Sequence, residues 1–138
     1  MSKKIRSRKK LTRQEQRDLD LEISFMEGLL QREPRYVEAL QVLGDDYTRR
    51  GNFGAGLKVD EKLAQLRPDD MMSHYNLACS YALVSQFEQA VAALERALNR
   101  GFDDFKSLAR DPDLAELRQH PLFKKLEQKI RPHRIKAQ

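Results

Sequence analysis

The 138-residue chain carries 26 Lys and Arg against 21 Asp and Glu, a formal net charge of +5, with 40% hydrophobic and 34% charged residues. That composition describes one domain with charged ends and excludes a large multilayered enzyme. There is no apolar run of about 18 residues to span a membrane, and with only six glycines and five prolines a turn-rich sheet sandwich is not expected.

The charge is unevenly placed. Residues 1–17 sum to +7 and residues 120–138 to +5, leaving −7 on the stretch between. An acidic body therefore carries two basic ends. The first, residues 1–11, includes Lys3, Lys4, Arg6, Arg8, Lys9 and Lys10. These side chains are candidates for neutralising phosphates of a nucleic acid or meeting an anionic surface. With no aromatic residue for base stacking, sequence reading is not expected of them, and a solvated tail is the plainer alternative. A polar stretch follows where a secretory signal would place its apolar segment, so the expected localisation is cytoplasmic.

A helix is predicted over 12–36. Thr12 and Glu15 have capping-box spacing, and Leu19, Ile23, Met26 and Leu30 repeat with helical period, with Leu21, Phe25 and Leu29 beside them. The apolar stripe is wide enough that self-association is an expectation.

A period of 34 residues then appears. In residues 37–70 the series is Leu40, Leu43, Gly44, Tyr47, Gly51, Gly56, Leu63 and Pro68. In residues 71–104 it is His74, Leu77, Ala78, Tyr81, Ser85, Ala90, Leu94, Ala97 and Phe102. Each unit is expected to be two antiparallel helices, with Gly44 and Ala78 permitting close approach and Tyr47 and Tyr81 filling the gap beyond. Ser85 and Glu88 are spaced as a second capping box. Asp60 should weaken the seam between units or make a polar contact, and Gly56 inside a helix should leave the first unit the less stable.

Residues 105–131 continue as short helices, with Asp111 before Pro112 and His120 before Pro121 as side-chain caps. Their expected role is to cover the apolar end of the stack. A basic tail, 132–138, closes the chain.

The series resembles the tetratricopeptide repeat, and the ending resembles the segment that follows the last repeat in small bacterial members. The resemblance implies an all-α fold, a short α-α superhelix of about two full repeats flanked by a half repeat and capping helices. It also implies a concave groove lined by the first helix of each unit, where a peptide or helix binds. Carried onto this chain, the lining residues are Gln41, Asp45, Thr48 and Arg49, with Glu38 beside them, then Met72, Tyr75, Asn76, Cys79 and Leu83, with Ala82 between. A partly acidic patch beside an apolar one suits an amphipathic, basic partner, and the Asn76 amide can both donate to and accept from a peptide backbone. The alternative is that Met72, Tyr75 and Leu83 pack on the chain's own helices. One subfamily clamps acidic chaperone tails with Lys and Asn where this chain has Gln41 and Asp45, so that ligand is not expected.

No catalytic constellation is recognisable. His74, His120 and His133 lack metal-ligand spacing, the lone Cys79 excludes a Cys-cluster metal site or an internal disulfide, and the Asp pairs at 69/70 and 103/104 fall at repeat boundaries, where Asp caps helices. The expectation is a non-catalytic interaction module, adaptor or co-chaperone-like scaffold, with no cofactor and no metal. The alternative is a nucleic-acid- or ribosome-associated accessory protein acting through its basic ends.

Overall fold

The computed structural model describes residues 10–137, with side chains through residue 132. Among the described residues there are eight α-helices, one 3₁₀ turn and no strand. The first, α1 (Arg13–Arg32), opens on the expected capping box: the Glu15 amide donates to the Thr12 hydroxyl at 3.1 Å and the Thr12 amide to the Glu15 carboxylate at 3.0 Å. Two hairpins follow, α2 (Val37–Arg50) with α3 (Phe53–Leu66), and α4 (Met71–Leu83) with α5 (Phe87–Asn99). Then come α6 (Phe105–Arg110), a 3₁₀ turn (Pro112–Leu114), α7 (Ala115–Arg118) and α8 (Pro121–Ala137). From α1 to α5 each helix packs on the next, the 3₁₀ turn packs on α4, and α8 packs on α5.

The 34-residue period is repeated in the contacts. Tyr47 donates its hydroxyl to Glu27, and Tyr81 donates to Glu61 at 3.1 Å, the same 20-residue step one unit later. Gly44 works as its position requires, since a Cβ there would lie 3.0 Å from Asp60 Oδ1 and 3.3 Å from Val59 Cγ1. Asp60 makes the polar contact, accepting from the Ser80 hydroxyl. His74 is buried at the junction: its Nε2–H donates to the Pro68 carbonyl at 2.7 Å and its Nδ1 accepts from Arg96 Nε at 3.2 Å. Arg100 Nε also donates to that carbonyl, at 2.6 Å.

Two apolar clusters result. Leu40, Leu43, Val59 and Leu63, with Ile23, Met26 and Leu30 of α1 against them, hold the first unit. The other runs from Ala64 through the second unit into Leu108, Leu114, Leu117, Phe123, Leu126 and Ile130. The helices after α5 thus share one core with α4 and α5.

Two local expectations are corrected. Ser85 is not a helix cap: α5 begins at Phe87 after Gln86, without a side-chain cap, and Ser85 lies at φ +62°. It stands 34 residues after Gly51, whose φ is +88°, so its backbone is spent on reversing the chain after α4. Nor does the last helix stop at 131. It runs through Pro132 to Ala137, although a proline inside a helix removes one backbone hydrogen bond.

Candidate functional site

The predicted lining residues divide once the chain is folded. On α2, Asp45 and Arg49 are exposed at one-turn spacing, with Glu38 exposed and Gln41 half-buried along the same helix. Asp46, next to Asp45, is buried at 2% exposure on the α1 side. Burial raises its carboxyl to about 8, helped by the hydrogen bond and charge of Glu22 and the charge of Asp45, against a lowering by Arg49. Thr48 is a correction. Its hydroxyl donates to the Gly44 carbonyl at 3.1 Å and lies 3.1 Å from where a Cβ on Gly56 would stand, so it belongs to the α2–α3 seam.

On α4 the correction is larger. Tyr75 and Cys79 are each 1% exposed, covered by the chain's own carboxy-terminal segment. The Tyr75 ring stacks on Phe102 with centroids 4.5 Å apart. Its hydroxyl donates to Asp111 Oδ2 at 2.8 Å, and the Cys79 thiol approaches the same oxygen at 3.7 Å. Desolvation, first, then the neighbouring Cys79 and Asp111, push the Tyr75 phenol well above its ordinary range. Asp111 Oδ1 accepts the Asp113 amide at 3.0 Å, the cap expected before Pro112. Arg118 closes the arrangement by donating to the carbonyls of Leu108 (3.2 Å) and Asp111 (2.8 Å). Cys79, Asp111 and Asp113 bring ligand-type atoms within 4.8 Å of one another, but the hydrogen bonds just described account for their meeting. Ala82 is likewise buried, and Met72 packs against the same core at half burial.

What stays accessible is the polar face of α2 together with Asn76 and Leu83, both half-buried, on α4. Asn76 carries a signal that sequence cannot supply: its Oδ1 is buried without a hydrogen-bond partner. The Oδ2 of Asp46 is in the same position, and both oxygens are enclosed by the chain itself. Of the basic amino-terminal candidates, Lys10 is exposed, while Lys3, Lys4, Arg6, Arg8 and Lys9 lie outside the described residues. No helix among the described residues is long and apolar enough to cross a membrane. The His120 ring caps its helix as expected, accepting the Leu122 amide at 3.2 Å.

No family model matches the chain. Over 105 residues it is 32% identical to a chloroplastic protein of Arabidopsis thaliana, an alignment covering 71% of this chain and 30% of that protein. Over 90 residues it is 32% identical to the peroxisomal targeting signal receptors of Komagataella phaffii and Komagataella pastoris, covering 64% of this chain and 16% of each receptor. The chain therefore spans less than a third of the length of these relatives. The all-helical repeat architecture is consistent with a tetratricopeptide-like fold.

Proposed function

We propose that this chain is a non-catalytic interaction module of the tetratricopeptide type, an adaptor or co-chaperone-like scaffold that holds a peptide or helix against α2 and the Asn76 edge of α4. The open polar face of α2, where Glu38, Asp45 and Arg49 are exposed, carries the reading, and the half-buried Asn76 of α4 offers an amide able to hold a peptide backbone. Glu38 and Asp45 favour a basic side chain in the ligand, and Leu83 offers it an apolar contact. Likeness to a receptor named for a targeting signal supports the same class of role.

Selection of a displayed library of random peptides on the protein tests it. The expected binders are basic with an apolar residue, shift the NMR signals of Asn76, Gln41, Asp45 and Arg49, and weaken by ~10-fold or more, about 1.4 kcal/mol, on Asn76→Ala. Binders that map elsewhere, or that ignore both Asn76→Ala and Asp45→Ala, overturn the reading, as does a selection that yields none.

A further inference from the structure

The outward face of α1 holds a pattern that packing on α2 does not use. Leu19, Ile23, Met26 and Leu30 of α1 turn toward the body of the protein: Leu19 is buried and the other three are partly buried, packed against the first-unit core. On the opposite side, Asp18, Leu21, Phe25, Gly28 and Arg32 follow one another at alternating steps of three and four, a single seam along the helix. Leu21 is 72% exposed and Phe25 63%, the most exposed large apolar side chains described. A Cβ on Gly28 would meet nothing within 4 Å, so the seam is open as well as apolar.

Those ends are of opposite charge. Asp18 precedes the apolar pair and Arg32 follows it, both exposed. Two copies of α1 laid side by side in parallel would set Asp18 against Asp18 and Arg32 against Arg32. Laid antiparallel, each Asp18 lies beside an Arg32, and the arrangement satisfies both ends twice. We propose that α1 is the interface with a second copy of this chain, paired antiparallel about a two-fold axis near residue 23. Leu21 of each copy then packs on Phe25 of the other, and Gly28 gives the partner helix room to approach. Helical side chains lean toward the amino terminus, which carries the Arg32 guanidinium back toward the partner's Asp18.

The proposal is independent of the peptide-binding face and is tested on the full chain by sedimentation equilibrium from micromolar to millimolar concentration. The expected mass climbs from one chain to two. Phe25→Glu holds it at one, raising the dimer dissociation constant by at least ~10-fold, with the helical circular dichroism unchanged because the residue is exposed. Asp18→Arg weakens the dimer, and Asp18→Arg combined with Arg32→Asp restores it. A one-chain mass throughout overturns the proposal. So does a dimer indifferent to Phe25→Glu, or one in which the double charge exchange fails to recover what the single exchange lost.

Discussion

The Tyr75 hydroxyl donates to the Asp111 carboxylate at 2.8 Å, across 36 residues of sequence and with both side chains almost wholly buried. That bond ties the second repeat to the segment covering it. Tyr75→Phe keeps the stack on Phe102 but leaves Asp111 Oδ2 short of its strongest donor, and the expected loss is about 1–3 kcal/mol, read as a lower urea midpoint. Asp111→Ala loses more, because the cap on the 3₁₀ turn goes with it.

Asp46 predicts an unusual pH dependence. Its folded carboxyl titrates at about 8 against an ordinary 3.8, raised first by burial and then by Glu22. The folded state therefore holds a proton that the unfolded state has already released, and stability falls as pH rises above 4 toward 8. Thermal melts across that range should show the decline in the wild type and flatten it in Asp46→Asn, which keeps the shape without the charge. Asp104 acts oppositely: its hydrogen bonds from the Ser107 hydroxyl and amide hold its pKa below the ordinary value, and its contribution is lost as the solution becomes acidic.

Ser85 occupies backbone that glycine holds one period earlier. Ser85→Gly is expected to stabilise the protein by about 1 kcal/mol, because the left-handed conformation no longer strains a Cβ. Gly51→Ala, at φ +88°, should cost about 1–2 kcal/mol for the same reason. Calorimetric melts of the two variants, moving in opposite directions, check the pair.

The first repeat should yield before the second. Its core is a small cluster around Leu40, Leu43, Val59 and Leu63, whereas the second repeat shares its core with the helices after α5 through Leu114, Leu117 and Phe123. Hydrogen exchange is expected to be faster at the amides of Leu43 and Leu63 than at those of Leu77 and Leu94, and the reverse order would refute it.

Local chemistry was legible wherever cause and effect lie within one helical turn. The Thr12 capping box, the caps at Asp111 and His120, and the close approach at Gly44 are all readable, because each depends on residues a few positions apart or on a periodic face. Ser85 misleads because a hydroxyl three residues before a glutamate looks the same whether its backbone caps a helix or turns left-handed. Only its register with Gly51 distinguishes the two.

The site divides along the same line. The 34-residue period and the all-helical architecture were determined by the sequence itself, since helical faces repeat through spacing alone. Which of those faces stays open was decided by tertiary structure. Tyr75 and Cys79 occupy the positions expected to meet a partner, and they are closed by Phe102 and Asp111, which arrive from 27 and 32 residues later. The orphaned oxygen of Asn76 and the bare seam at Leu21 and Phe25 are decided in the same way. Whether a group is paired or covered depends on which distant segment comes to rest on it, and helical periodicity carries no record of that.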